Sequence, residues 1–570
     1  MIFFVPVALV CLSAGCDSGP ARTGPHTSAD VRAAIDEQAL QFPRQVIEVT
    51  GGVHVAVGYG LANSVLIVGD GGVIIVDTME SAEAAAPVRE EFRRISTAPV
   101  AAIVYTHNHA DHIFGAAVLA GEDHPQVIAH ASFETELTRL GMMTRGVIWR
   151  RSMRQFGAML PEADRTNCGI GPRLLNEAKS TLSPLLPTTT FDGDRTEMTI
   201  AGVHMELLHL PGETPDQIAV WLPEKRVLVS GDNYYHSFPN LYAIRGTATR
   251  DVLDWMDSID RMRALAPAFL VPGHTLPVTG EDEIRGRLTD YRDAIQYVHD
   301  QTVRAMNEGR EPDEIAALVK LPKSLASRPW LAERYGRVDW SVRSIFDKYL
   351  GWFGGDAADL SPLTRREHAE RMAVLAGGSE KLRDEAVAAQ KLGDSEWALE
   401  LAGELAALGE FTEVAKKVRA SALRSLASAE PNANGRNYEL TQALEAEEQL
   451  ALDPPDPSQM PAELLARIPV GRFLRAMTVR LDPVKAEGKS MAIGLRFPDT
   501  GEEWGMTVRN SVVELSPKLP AEPDMTVTAD SLVWKEILTR KRNATAAFAS
   551  GDVKVDRNRL ELVRFLFLFR

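Results

Sequence analysis

Thr106-His107-Asn108-His109-Ala110-Asp111-His112 gathers three of the chain's thirteen histidines and one carboxylate between positions 107 and 112. Imidazole nitrogens and carboxylate oxygens are ligands for zinc and related divalent ions, and a catalytic site needs them to converge while leaving one position open. The stretch follows Val100 to Tyr105, an apolar, β-branched run that reads as a buried strand. At a strand end His107 and His109 point the same way, while Asp111 and His112 curl back from the turn beyond. One short loop can then offer imidazoles to one ion and a carboxylate plus an imidazole to a second. A lone loop histidine ordinarily just faces solvent, but this cluster directly after a strand is a metal signature.

The surrounding chain supplies elements to carry that loop. Val46 to Thr50, Val53 to Val57, Ser64 to Val68 and Val73 to Thr78 read as strands, with Gly69-Asp70-Gly71-Gly72 as the hairpin turn between the last two. Asp77 closes its run, where a carboxylate either accepts a hydrogen bond from a ligating histidine or serves as a turn or helix cap. Ala82 to Arg94 has a helical pattern, and Ile113 to Ala120 reads as a helix whose start points at the metal loop. Residues 133–187 form an insertion of the kind that lines a substrate site. Three further strand ends follow, at Leu207 to Leu210 before Pro211-Gly212-Glu213, at Arg226 to Ser230 before Gly231-Asp232, and at Phe269 to Val271 before Pro272-Gly273-His274.

The pattern of His107, His109, Asp111 and His112 resembles the H-x-H-x-D-H motif of the metallo-β-lactamase superfamily, which implies an α/β fold, the αββα sandwich, with one or two metals at its edge. The later strand ends arrive in the order that fold requires. Glu213 stands where the superfamily commonly has a histidine and resembles the alkyl sulfatase branch, which uses a carboxylate there. The resemblance implies one metal on His107, His109 and Glu213, a second on Asp111, His112 and His274, and Asp232 as the bridging and catalytic carboxylate. His209 and Asp216 are competing ligands, since either can reach a nearby ion. Two Zn2+ per chain suit this donor set, with manganese and iron as alternatives of the same ligand type. The run His236-Ser237-Phe238-Pro239-Asn240-Leu241-Tyr242-Ala243-Ile244-Arg245-Gly246 resembles the alkyl sulfatase segment that holds the sulfate group. Asn240 and Arg245 are then the sulfate-holding pair, because a guanidinium fork matches two oxygens of a tetrahedral anion. His236 is the candidate donor to the leaving oxygen, and Pro239 stands where many family members carry a histidine.

At 570 residues the chain exceeds one core, and its 45% hydrophobic and 25% charged content is that of a globular protein. A net charge of −16 argues against nucleic acid or an anionic membrane surface as partner, so an anionic substrate must be drawn in locally by metal and arginine. Residues 1–16 read as a short secretory leader with a lipoprotein-type site at Cys16, which implies an exported, cell-envelope protein touching the membrane only through that anchor. With Cys11 removed and Cys16 lipidated, Cys168 has no partner for a disulfide. Residues 17–35 read as a tether, 36–285 as the catalytic domain, 286–435 as all-α and 455–570 as α+β, after the proline-stiffened linker at Leu452 to Pro457. In the last part Phe473 to Leu481, Met491 to Phe497, Gly505 to Val513 and Met525 to Thr528 alternate like strands, with helices at Pro461 to Ile468 and from Leu560. The alkyl sulfatase resemblance adds homodimerisation by the helical part and a sterol-carrier-like C-terminal hollow able to take an alkyl chain. The expected activity is hydrolysis of alkyl sulfate esters to alcohol and sulfate by metal-activated water. A hydrolase of the same fold acting on a lactone, thioester or phosphoester, and a non-catalytic lipid-binding lipoprotein, are the competing readings.

Overall fold

The computed structural model of the chain describes residues 27–570, except 176–179, 248, 455, 461, 558 and 570. The expected leader, and the tether up to residue 26, lie outside the described residues. The rest of the expected tether is a helix, Ser28–Ala39, opened by a capping box between Thr27 and Asp30. Val31, Ala34 and Gln38 bury one face of it at helical spacing, which a reading based on Ser, Thr and Gly content could not detect.

Two sheets carry the first half. Strands β1 (Gln45–Thr50), β2 (Val53–Val57), β3 (Ser64–Val68), β4 (Val73–Val76), β5 (Val100–Val104), β6 (Gln126–His130) and β7 (Thr189–Phe191) lie side by side in chain order. The second sheet runs in order from β8 (Arg195–Ile200) through β9 (Val203–His209), β10 (Ile218–Leu222) and β11 (Val227–Gly231) to β12 (Phe269–Pro272) and β13 (Val278–Thr279). Val55, Val65, Ile74 and Val104 of the first sheet pack with Met205, Leu207, Val220 and Val229 of the second in one apolar layer. Helix Ala82–Ile95 covers the outside of the first sheet, and helices Val252–Ala264 and Glu281–Asn307 cover the second. This is the expected αββα sandwich. The strands β4 to β7 pair in parallel, as do β11 and β12, so their C-terminal ends gather at one rim of the sandwich.

Four further elements differ from expectation, the first being the strand expected over Gly505 to Val513, which is two strands, Glu502–Arg509 and Val512–Ser516, because Asn510 and Ser511 take positive φ and turn the chain between them. Instead of one helix over 113–120, Ala110–Ile113 and Ala116–Ala120 are separate short helices, because Gly115 lies against the Thr78 carbonyl and takes a non-helical conformation. Helix Glu281–Asn307 runs through the expected boundary at 285, and its Ile284, Leu288, Tyr291 and Ile295 share a core with Leu228, Trp255 and Phe346. In the last part, Val470–Thr478 is a helix rather than the strand expected over Phe473 to Leu481, with Val470, Phe473, Leu474 and Met477 buried at three- and four-residue spacing. That helix covers a five-stranded sheet of order β16-β15-β14-β17-β18, built from β14 (Met491–Phe497), β15 (Glu502–Arg509), β16 (Val512–Ser516), β17 (Met525–Ala529) and β18 (Val553–Val555). The apolar tail from Leu562 packs into the same core through Phe565 and Leu568. Between the two sheet regions stand helices including Arg365–Ala376, Ser379–Leu392, Ser395–Leu408, Thr412–Ala429 and Ala433–Ala446. No helix among the described residues is long and apolar enough to cross a membrane.

Candidate metal and anion site

Every expected ligand follows the C-terminal end of a strand. His107 comes after β5, Glu213 after β9, Asp232 after β11 and His274 after β12. Asp77 follows β4 and reaches across to β5, accepting from the Thr106 backbone N–H and from Thr106 Oγ1, both at 2.8 Å. Thr106 Oγ1 uses its hydrogen on Asp77, so at 3.0 Å it accepts from His107 Nδ1–H, leaving the His107 Nε2 lone pair turned inward. Asp77 also accepts from His112 Nδ1 at 2.7 Å, and the Leu61 carbonyl accepts from His274 Nδ1 at 2.8 Å. Of the two readings left open for Asp77, the geometry selects the partner of a histidine.

The inward atoms converge. His112 Nε2 lies 3.4 Å from Asp232 Oδ1 and 3.6 Å from Asp111 Oδ2, and His274 Nε2 lies 3.1 Å from Asp232 Oδ2 and 3.5 Å from Asp111 Oδ2. His107 Nε2 is 2.9 Å from His109 Nδ1, which is 3.9 Å from Glu213 Oε1. Three overlapping sets, His107/His112/Asp232, Asp111/His112/His274 and His109/Glu213/Asp232, each have ligand atoms within 4.8 Å of one another. Asp232 belongs to two of them. The close approach depends on glycine at two positions: a Cβ on Gly273 would come within 2.3 Å of Asp232 Oδ1, and Gly231 has φ +53° with no room beside Gln217 and Thr106.

The donor set fits divalent cations. His112 Nε2, Asp232 Oδ1 and Glu213 Oε2 are buried with no hydrogen-bond partner, a costly state for polar atoms unless an ion completes them. Burial, reinforced by the His112 charge, holds His107 well below the usual imidazole range; burial and His107 do the same to His109. Burial opposes charge on Asp232 too, but His274 and His112 outweigh it and keep the carboxylate ionised. His107 and His109 are thus neutral and Asp232 ionised, the states in which these side chains bind metal, whereas Asp232 and its neighbouring carboxylates outweigh burial and raise His112 and His274, whose inward protons a bound cation would displace.

Beside this cluster opens a cleft of about 340 Å³. Its floor includes His109, Glu213 and Arg245, its walls Phe114, Leu137, Ile148, Pro211 and Pro215. Arg245 is held there with Nη2 3.1 Å from His109 Nε2. Asn240 is wholly buried nearby, and neither Nδ2 nor Oδ1 of its amide has a partner. Residues after 455 take no part in lining this cleft, so the apolar walls beside the cluster come from the catalytic half and not from the expected C-terminal hollow.

The His236 backbone N–H donates to Thr275 Oγ1 at 3.2 Å, beside the ligand His274, and its imidazole is in none of the three converging sets. Burial followed by Arg287, and none of the seven ligands, shifts its imidazole, down to about 4, and its Nδ1 is buried without a partner. The competing ligands also fall away: His209 stacks on His130 at 3.8 Å and bonds the Pro215 carbonyl, while Asp216 accepts from Asn108 at 2.6 Å. Two charged groups escaped sequence reasoning. Arg250, buried, pairs with Glu213 at 2.8 Å and donates to the Asn240 carbonyl. Glu80, buried and pushed up to about 7 by desolvation, accepts from the Leu61 and Leu175 backbones, so it fixes the loop whose carbonyl orients His274. Neither sits in a recognisable motif; the five-residue interval from Arg245 to Arg250 was the available signal for the first.

Family models match the chain in succession: the metallo-beta-lactamase superfamily over residues 57–274, alkyl sulfatase dimerisation over 311–449 and alkyl sulfatase C-terminal over 458–570. Fold and rim geometry together are those of a metal-binding metallo-β-lactamase-superfamily protein. Over 514 residues the chain is 37% identical to a linear primary-alkylsulfatase of Pseudomonas sp., covering 87% of this chain and 97% of that one. It is 29% identical to an (R)-specific secondary-alkylsulfatase of Pseudomonas sp., over 90% of this chain and 78% of the relative. The solved structure of a stereoselective inverting sec-alkylsulfatase from Pseudomonas sp. matches with a TM-score of 0.87 at 28% identity, covering 96% of this chain and 88% of that one. The chain belongs to the alkyl sulfatase family.

Proposed function

We propose that this protein hydrolyses alkyl sulfate esters to alcohol and inorganic sulfate at a site holding two divalent metals, zinc by preference. The observation that carries the reading is a guanidinium, Arg245, placed 3.1 Å from a ligand histidine on the floor of an apolar-walled cleft. His107, His109 and Glu213 would hold one ion and Asp111, His112 and His274 the other, with Asp232 shared between them. Bound there, divalent ions supply Lewis-acid polarisation and a water ionisable near neutral pH.

The chain's own residues do the rest. Arg245 reaches His109 Nε2 only while that nitrogen carries a lone pair. Were His109 to give Nδ1 to an ion, its proton would sit on Nε2 and the guanidinium would be free for a substrate oxygen. Asn240 adds a donor, and Arg250 holds both the Glu213 carboxylate and the Asn240 backbone in place. Phe114, Leu137 and Ile148 receive the alkyl chain, where each buried methylene contributes about 0.8 kcal/mol.

The test is a screen of alkyl sulfates, aryl sulfates, lactones and phosphoesters with the parent and Arg245→Ala, alongside metal analysis. The expected result is alkyl sulfate turnover, two metals per chain, and loss of sulfatase activity in the variant with metal retained. Turnover of a lactone or phosphoester in preference, or an unchanged alkyl sulfate rate in Arg245→Ala, overturns the reading. The exposed Val374, Leu375 and Leu392 in the region matched by the dimerisation model support a homodimer. Export as a Cys16 lipoprotein rests on the pattern of residues 1–16; a labelled fatty acid taken up by the parent and not by Cys16→Ser tests it.

A further inference from the structure

The stretch that carries Arg245 has no regular secondary structure, so its conformation depends on what it is bonded to. One peptide group in it is held at both ends. The Ile244 carbonyl accepts from two nitrogens of Arg151, Nε at 3.0 Å and Nη2 at 2.6 Å. The Arg245 N–H of the same peptide donates to Gln155 Oε1 at 2.9 Å. Because the peptide group is planar, fixing its oxygen and its hydrogen stops rotation of the plane, and that sets the direction in which the Arg245 side chain leaves the backbone.

Both anchors come from one helix, Arg145–Gln155, in which positions 151 and 155 are four apart and share a face. Gln155 is fully buried. The helix is tied away from the site as well: Arg154 makes two 2.9 Å hydrogen bonds to the Glu445 carboxylate, and Arg150 donates to the Leu452 carbonyl. It therefore stands as a strut between the helical region and the anion-holding arginine. Neither Arg151 nor Gln155 touches a metal-ligand residue in any contact described above.

We propose that Arg151 and Gln155 are positioning residues that hold the 244–245 peptide, and through it aim the Arg245 guanidinium at the sulfate group. This rests on the reading of Arg245 as the sulfate-holding residue. A misaimed guanidinium weakens the hold on sulfate in substrate and product alike while leaving the metal ligands undisturbed. General loosening of the fold would instead lower kcat by reducing the active fraction, with binding constants unchanged.

The experiment compares parent, Gln155→Leu, Arg151→Met, Arg151→Lys and Arg245→Ala in full-length, metal-loaded protein. It measures KM for an alkyl sulfate, the inhibition constant of inorganic sulfate, and metal content. Gln155→Leu and Arg151→Met are expected to raise KM and the sulfate constant together by about tenfold, as loss of a buried hydrogen bond does. Arg151→Lys, which keeps the charge and one donor, is expected to recover part of that loss, and metal content stays at the parent value throughout. Should Gln155→Leu fail to fold, the half-buried Arg151 pair decides the matter. KM and the sulfate constant within about twofold of the parent in the Gln155 and Arg151 variants, with both raised in Arg245→Ala, would overturn the positioning role and leave the function standing. No rise in either constant for Arg245→Ala overturns the functional reading, and the positioning role with it.

Discussion

Asp77 shows how much of this site depends on a residue that binds no metal. Its carboxylate fixes Thr106, and through it the His107 tautomer, while its other contact sets His112. Its backbone sits at φ +59°, a conformation Asp and Asn both tolerate, so Asp77→Asn keeps the turn and removes the charge. That variant should bind metal about 10- to 100-fold more weakly, measured by competition with a chromophoric chelator; parent-like affinity would show that the tautomers are set elsewhere. Far from the rim, burial and then Glu430 push the Glu439 carboxyl up to about 8. The folded chain thus keeps a proton there that the unfolded chain gives up near 4.5, so stability from this group is full at low pH and lost as pH rises from about 4.5 through 8. Glu439→Gln should melt above the parent by a margin that widens between pH 5 and 9 in thermal scans. At this scale the ligand motif was readable because spacing alone brings its members together. Arg250 and Glu80 were not, because their partners, Glu213 and the Leu61 and Leu175 backbones, lie far off in the chain.

Elements were readable where one periodicity excluded the other. β3, β4 and β5 are short, β-branched and bounded by turn residues, and they appear where expected. Residues 473–481 fit both periods: Phe473, Met477, Val479 and Leu481 alternate, yet Val470, Phe473, Leu474 and Met477 also lie on one helical stripe. Packing against β16 and its neighbours selects the helix, which buries Leu474 and leaves Val479 exposed. The two arrangements predict opposite mutant effects. In the helix, Leu474→Ala costs about 2–5 kcal/mol and Val479→Ser less than about 0.5 kcal/mol. Thermal melts of the two full-length variants check this, and a larger drop for Val479→Ser would restore the strand.

The whole molecule joins a metal rim to a helical region through the insertion, whose helices line the cleft on one side and meet Glu445 and Leu452 on the other. The helical region also exposes more large apolar side chains than a solvated surface needs, Leu375 at 83% and Leu392 at 85% among them. If a second copy covers them, Leu375→Glu combined with Leu392→Glu should halve the mass seen by light scattering while the monomer stays folded. An unchanged mass would place the interface on another face.

Local spacing sufficed for the four-donor loop after β5 and for the later strand ends, because those depend on short-range periodicity and turn chemistry within a few residues, and the αββα sandwich followed from the family resemblance which that loop carries. Which strand ends meet, which way each imidazole turns and that Arg151 and Gln155 grip the peptide before Arg245 were decided by the tertiary structure. Those facts depend on distances between residues up to hundreds of positions apart, and only the packing of one sheet on the other sets them.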